Sequence, residues 1–305
     1  MRFGIVGAGA IGCLFGASLS LAGHDVTLIH RDLSIVRAIQ KNGVILRETD
    51  KTVTKVRVSV RRGPTQLPTA EVLIIAVKAY DTNAVAASYR RIVPLETTVL
   101  SLQNGLGNIE TLQSVLKNEL IAGSTTEGAF SLGPSSVLHT GKGLTIIGDL
   151  RGKKSDACSR IKIAFEEAGF QTKISPNMAG VLWTKAILNS AINPLSGLTR
   201  LPNGALAKSL AIRKIGFRVM DEGISVSRAE RVRLAGDPRR LWRRILLSTK
   251  ANKSSMLQDI ERGKMTEIRQ LNGAILSRGK TKGIETPTNE ILTKLVLGIE
   301  ESSKP

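Results

Sequence analysis

A chain of 305 residues with 42% apolar and 23% charged side chains is long enough for a sizeable core, and its length suggests two domains. Its two cysteines, Cys13 and Cys158, lie far apart and in no CxxC spacing, which excludes a disulfide framework and a thiolate zinc site and fits a reducing cytoplasm. The net charge of +19 attracts anions at long range, but no zinc-finger spacing or aromatic-studded basic strand accompanies it, so a phosphorylated cofactor and a carboxylate substrate are better candidates than nucleic acid.

Arg2 to Val6 reads as a short buried strand, followed at once by Gly7-Ala8-Gly9-Ala10-Ile11-Gly12 and a helix from Ile11 to about Ala22. Arg2 and the apolar run behind it have the outline of a secretory signal, yet glycines at 4, 7, 9, 12 and 16 fit a glycine-rich turn better than a continuous apolar helix. No other stretch is long and apolar enough to span a bilayer. With a second strand at Asp25 to Ile29, the GxGxxG spacing sits between a strand and a helix, the setting of a dinucleotide site. Gly7 permits the tight turn, Gly9 lets the backbone approach a pyrophosphate, and Gly12 packs the helix closely on the strand. The free N–H groups of the helix N-terminus then face the phosphates. Beyond the second strand the chain reads His30-Arg31-Asp32. Arg31 can face a 2′-phosphate and favours NADP, while Asp32 leaves NAD open.

Alternation continues with a helix over 33–42 and strands over 44–46 and 53–60. A strongly apolar strand over 71–77 ends at Lys78, and a helix follows over 82–91. Next come a strand over 98–102, the turn Gln103-Asn104-Gly105, a helix over 109–115 and a strand over 120–122. A turn over 125–129 leads to a hairpin formed by 137–139 and 144–147 around Gly141 and Gly143. A helix over 155–168 and a strand over 171–174 close this half. The pattern predicts an α/β domain on a Rossmann-type parallel sheet, covered on both faces, over residues 1–174. Lys78 and Asn104 fall at the carboxyl edge, where such sheets bind ligands, although each is also ordinary turn chemistry.

After Ser175-Pro176 strand signals vanish, and 175–305 reads as an all-helical second domain with helices over 177–190, 205–233, 237–247, 256–277 and 288–301. On Leu182 to Pro194, LWTKAILNSAINP, the polar residues Lys185, Asn189 and Asn193 fall four apart and share one stripe. A solvated face would carry several charges. One lysine and two amides on an apolar helix point to polar groups in a cleft, or equally to buried polar groups satisfied by backbone. Ser255-Met256-Leu257-Gln258 fits a capping box, which would make Ser255 a helix cap. Glu267 flanks an apolar ridge of Met265, Ile268, Leu271 and Ile275 and reads as a solvated neighbour. The run of Arg228, Arg231, Arg233, Arg239, Arg240, Arg243, Arg244, Lys250 and Lys253 reads as a solvated helix face.

GxGAxG at Gly7 to Gly12, LQNGLG at Leu102 to Gly107, LWTKAILNSAINPLS at Leu182 to Ser196, LPNG at Leu201 to Gly204 and SSMLQDIERGKMTEI at Ser254 to Ile268 together resemble the ketopantoate reductase family, in its order and approximate spacing. The resemblance implies an N-terminal Rossmann domain and a helical C-terminal domain, with the active site in the cleft between them. It further implies reduction of 2-dehydropantoate to (R)-pantoate with NADPH, on the route to pantothenate and coenzyme A. By resemblance Lys185 is the catalytic proton donor and touches the substrate. Asn104, Asn189, Asn193, Asn203 and Ser255 match substrate-binding positions. Lys78, Asn104, Ala129 and Glu267 match positions lining the cofactor, and Arg31 one that meets the 2′-phosphate. Thr126-Glu127-Gly128 and the high basic charge depart from the family pattern.

Carbonyl reduction needs a hydride at carbon and a proton at oxygen, and a protonated amine can stabilise and then protonate the developing alkoxide. Lys185 suits that task, since apolar neighbours can draw its pKa toward neutrality. Asn189 and Asn193 can hold the substrate hydroxyl and Ser255 its carboxylate. Glu267 can orient Lys185, or bind substrate or nicotinamide. The expected partner is a small 2-keto acid, with no metal, no membrane and no nucleic acid; a homodimer is left open. The nearest alternative is an NAD(P)-dependent reductase of another small 2-keto acid, and a more remote one is a non-enzymatic dinucleotide sensor or nucleic-acid-binding protein.

Overall fold

In the computed structural model, which describes residues 1–67 and 69–302, the most apolar runs of the N-terminal half become the inner strands of one sheet. In chain order the elements are β1 (Arg2–Val6), α1 (Ala10–Leu21), β2 (Asp25–His30), α2 (Leu33–Asn42), β3 (Val44–Glu48), β4 (Val53–Val56), β5 (Ser59–Arg62), β6 (Val72–Ile75), α3 (Thr82–Tyr89), β7 (Thr98–Ser101), α4 (Asn108–Val115) and β8 (Leu120–Thr125). There follow β9 (Gly128–Gly133), β10 (Ser136–Gly141), β11 (Leu144–Gly148), α5 (Asp156–Glu167) and β12 (Gln171–Ile174). The eight-stranded sheet has the order β12-β11-β8-β7-β6-β1-β2-β5. It is parallel from β8 to β5, and β11 joins β8 antiparallel. Every residue of β6, β7 and β8 is buried, as expected of strands covered on both faces.

A second sheet, β4-β3-β10-β9, was not foreseen in the sequence and explains two departures from it. The stretch 53–60 is not one strand: β4 joins the small sheet and β5 the large one. β10 and β11 do not form a hairpin, because β10 pairs with β9 and β3 while β11 pairs with β8 and β12. The chain between them is drawn to the end of β8, where the Thr126 N–H donates to the Leu144 carbonyl at 3.0 Å and a Cβ at Gly143 would collide with the Thr126 backbone. The turn over 125–129 shrinks to Thr126-Glu127. Helix α1 packs on strands of both sheets, so Leu14, Phe15, Ala17 and Leu19 are all fully buried, the condition under which a helix is apolar all round. Phe15 stacks on Phe170 with ring centroids 4.1 Å apart and meets Phe165 edge-on.

The other elements are α6 (Met178–Thr199), α7 (Asn203–Lys208), α8 (Leu210–Ala229), α9 (Pro238–Ser248), α10 (Ser255–Glu261), α11 (Asn272–Thr281) and α12 (Pro287–Ser302). Contacts divide the chain into a sheet unit, Met1–Gln103 with Asn108–Met178, and a helical unit of Asn104–Gly107 and the chain from Ala179 onward. Helix α6 continues past Pro194 to Thr199 rather than stopping at 190. The stretch 205–233 breaks at Ser209, whose hydroxyl caps α8 through the Ile212 N–H. The stretch 256–277 breaks after Glu261. There Gly263 takes φ +60° and the Lys264 N–H returns to the Asp259 carbonyl at 2.8 Å, a C-terminal cap that stops a helix. On α9, Trp242 and Leu246 are buried while Arg239, Arg240, Arg243 and Arg244 face solvent, so the basic run is a solvated face. No helix among the described residues is long and apolar enough to cross a membrane.

Glu127, the departure noted in the sequence, has a partner in the small sheet. His139 Nε2 meets the Glu127 carboxylate at 2.8 Å, and Nδ1 meets that of Glu48 at 3.1 Å. The hydrogen bond to Glu127, followed by that to Glu48, outweighs burial and raises the His139 pKa. A raised folded-state pKa means stability that is fully present below about pH 6.5 and drains away as pH climbs through the elevated value. We therefore expect His139→Gln to lower Tm more at pH 6 than at pH 9; an equal loss at both, measured by calorimetry, would show that the imidazolium contributes nothing.

Candidate active site

The residues singled out in the sequence fall into two groups, one in each unit. In the sheet unit, Gly7 follows β1 with φ +108°, and a Cβ there would press on the backbone of Ala76 and Val77, so only glycine fits. A Cβ on Gly12 would collide with the Gly7 carbonyl, which fixes how closely α1 approaches β1. Gly9 is different. It is exposed, and a Cβ placed on it would meet nothing within 4 Å. The first intrahelical bond of α1 runs from Cys13 N–H to the Gly9 carbonyl, so the amides of Ala10, Ile11 and Gly12 precede the helical ladder. Open space over Gly9 and amides ahead of the ladder are what a pyrophosphate requires, and Gly7, Ala8, Gly9, Ala10, Ile11 and Gly12 fit the role.

Further along the same carboxyl edge, Lys78 precedes a 3-10 turn, Ala79–Asp81. Three residues not singled out in the sequence hold that turn. Gln103 donates through Nε2 to the Val77 carbonyl at 3.2 Å and to Thr82 Oγ1 at 2.8 Å. Thr82 Oγ1 lies 2.8 Å from both the Ala79 carbonyl and Asn108 Oδ1. Arg31, just past β2, is mostly exposed, with Nη1 2.8 Å from Asp81 Oδ1. Asp32 is committed elsewhere: its Oδ1 accepts from the N–H and the hydroxyl of Ser34 and caps α2. Both residues thus have a partner, Arg31 in Asp81 and Asp32 in Ser34, and of the two only Arg31 carries the positive charge that suits a 2′-phosphate. Ala129 belongs to β9 of the small sheet, in register with His139.

In the helical unit, α6 is the central element, with Trp183, Ala186, Ile187, Leu188, Ala191, Ile192 and Leu195 buried around its circumference. Lys185 and Asn189 are half-buried and Asn193 is 7% exposed. Although Lys185 keeps some surface open, its surroundings are deep enough that desolvation lowers its pKa from 10.5 to about 8, with the Glu267 carboxylate pulling the other way. Glu267 is itself only 6% exposed. The expectation of a solvated glutamate beside a helical ridge is therefore wrong. The break after Glu261 resets the phase, so that Met265 turns outward, 46% exposed, and Glu267 turns in, ahead of the 3-10 turn Ile268–Gln270.

That turn also holds Asn104. The Leu106 N–H donates to the Gln270 carbonyl at 2.9 Å, and Gly105, at φ +88°, lies so close to Gln270 that a Cβ would collide with it. Ser255 is not a helix cap. Ser254 performs that job, its Oγ accepting from the Leu257 N–H at 3.1 Å, which leaves Ser255 Oγ 3.5 Å from Asn193 Nδ2. Only Ser255 has a glutamine three residues on, yet Ser254 takes the extended backbone angles of the cap and serves instead. Asn203 Nδ2 bonds Thr249 Oγ1 at 2.8 Å, while its buried Oδ1 meets no protein partner among the described residues, an acceptor at hand for a ligand hydroxyl. The helical unit thus pairs Lys185 with Glu267 and Asn193 with Ser255, and fixes the Asn104 loop against the turn that follows Glu267.

Residues 3–152 match the family described as ketopantoate reductase PanE/ApbA, and residues 177–300 match the ketopantoate reductase PanE/ApbA C-terminal family. The 2-dehydropantoate 2-reductase of Pyrococcus horikoshii is 37% identical over 298 residues, covering 97% of this chain and 96% of that protein. Among solved structures, a PanE/ApbA family ketopantoate reductase from Ralstonia eutropha JMP134 is 36% identical with a TM-score of 0.91, covering 99% of each chain. D-mandelate dehydrogenase in a ternary structure with NADH and anilino(oxo)acetate is 25% identical with a TM-score of 0.94, again over 99% of each chain.

Because Glu267 holds the Lys185 pKa up against desolvation, Glu267→Gln should bring it below about 8. NMR titration of the lysine ε-carbon would read the change, and an unmoved or raised midpoint would remove Glu267 as its electrostatic partner.

Proposed function

The chain belongs to the ketopantoate reductase family, and from that membership we propose that it reduces 2-dehydropantoate to (R)-pantoate with NADPH, a step toward pantothenate and coenzyme A, with Lys185 as the proton donor. The observation that carries the mechanistic part is a lysine with its pKa drawn down to about 8, facing a buried glutamate and sharing its helix with two asparagines. An amine in that range is protonated at neutral pH yet gives up its proton readily, the balance a general acid needs.

NADPH supplies the hydride when bound, and Gly7 to Gly12, Arg31 and Lys78, with Ala129, are the residues that would hold it. Lys185 stabilises the oxygen on which negative charge develops, then protonates it from Nζ. Glu267 keeps the ammonium charged until that moment. Asn189 and Asn193 hold the substrate hydroxyl, Asn203 adds an acceptor through Oδ1, and Asn104 and Ser255 orient the carboxylate end. A cytoplasmic location, a homodimer and no nucleic-acid partner complete the reading. The likeness to D-mandelate dehydrogenase with NADH favours a second reading, a different 2-keto acid with NADH in place of NADPH. Steady-state rates for 2-dehydropantoate and a panel of aromatic and aliphatic 2-keto acids, each with both cofactors, separate the two. A higher kcat/KM for another acid would replace the first reading.

Lys185→Ala should lower kcat by roughly 10²- to 10⁴-fold while leaving the NADPH Kd unchanged. In the parent enzyme kcat should fall as pH rises through about 8, because the donor loses its proton. Near-parent turnover in the variant would sink the assignment. Arg31→Ala should raise the KM for NADPH roughly tenfold, as expected for loss of a charge-assisted contact, and the KM for NADH much less. Equal changes for the two cofactors would mean that Arg31 does not read the 2′-phosphate.

A further inference from the structure

Pro194 lies inside α6, directly after Asn193. Proline has no N–H to donate and its ring crowds the carbonyl four residues earlier, so the Ser190 carbonyl loses its helical partner in the turn that separates Asn189 from Asn193. Ser190 is fully buried, where water is no substitute. The missing donor is supplied from another helix: Asn272, the first residue of α11 and also fully buried, donates through Nδ2 to the Ser190 carbonyl at 2.9 Å.

A chain of hydrogen bonds fixes the sense of that amide from its far end. Glu222 offers only acceptors, and its carboxylate takes the Asn289 Nδ2 at 2.7 Å and the N–H groups of Thr288 and Asn289 at 2.8 and 2.9 Å, at the start of α12. The Asn289 Nδ2 also reaches the Val219 carbonyl at 3.2 Å. Asn289 Oδ1 is thereby turned toward Asn272 and accepts its Nδ2 at 3.0 Å. Flipping the Asn272 amide would set its oxygen against two acceptors. Its Oδ1 meets no partner among the described residues, so the side chain carries a desolvation cost that an apolar residue would avoid, and the bond to Ser190 is what offsets it.

We propose that Asn272 is a positioning residue. By standing in for the missing N–H of Pro194 it sets the turn of α6 from Asn189 to Asn193, and with it the placing of the keto acid. The inference rests on the reading of Asn189 and Asn193 as keto-acid ligands. A proline at 194 removes the local helical bond that would otherwise fix this turn, and hands the task to α8, α11 and α12 through Glu222, Asn289 and Asn272.

A double-mutant cycle on the full-length enzyme tests it, because Pro194→Ala restores the N–H and makes Asn272 redundant. Asn272→Ala should cut kcat/KM for 2-dehydropantoate tenfold or more while the KM for NADPH stays within twofold. The same change in a Pro194→Ala background should cost far less, in kcat/KM and in Tm. Parent keto-acid kinetics in folded Asn272→Ala, or effects of the two changes that simply multiply, would overturn the proposal. Should Asn272→Ala fail to fold, its folding in the Pro194→Ala background supports the proposal and failure in both overturns it. Asn193→Ala separates the two levels. A raised keto-acid KM there, with parent kinetics in Asn272→Ala, ends the positioning role and leaves the site reading standing; a parent KM in Asn193→Ala ends both.

Discussion

An ammonium among aliphatic side chains is costly unless a carboxylate faces it and the helix beneath it is fixed, and the helical unit is arranged around that constraint for Lys185. Desolvation dominates and brings the pKa to about 8; Glu267 limits the fall. Glu267 is in turn placed by the break after Glu261, which converts a continuing helix into a short turn. The same turn holds the Asn104 loop through Gln270, so one local interruption positions two of the candidate residues.

The sheet unit solves a different problem, how to bring backbone segments close together. Its answer is steric. Gly7 and Gly12 let α1 sit against β1, and Gly9 leaves the space above the turn open. Because α1 packs on both sheets, its N-terminus is held on two sides by the aliphatic core and by the stacked pair Phe15 and Phe170. In a chain with only 3% aromatic residues, three of the six phenylalanines, Phe15, Phe165 and Phe170, cluster at this helix.

Some polar groups deep in the helical unit do a job that the local backbone leaves undone. Ser254 satisfies the Leu257 N–H at the start of α10 and releases Ser255, and Thr184 accepts the Ala235 N–H while donating to the Gly180 carbonyl. Asn272 completes the ladder that Pro194 interrupts. These are backbone accounts settled by side chains from distant parts of the chain.

The sequence by itself determined the strand–turn–helix entry with its glycines, the change from alternating to helical periodicity after Pro176, and the stripe of Lys185, Asn189 and Asn193, because each depends on spacing within one turn or one strand. It could not determine that 53–60 feeds two sheets, that 137–147 is no hairpin, that Ser254 rather than Ser255 caps α10, or that Glu267 faces inward. Strand partners, the serine chosen as cap and the phase of a chain after a helix break are set by groups far away in sequence. Only the tertiary structure decided these points, since a carbonyl or an ammonium carries no record in its own neighbourhood of which distant donor or carboxylate will satisfy it.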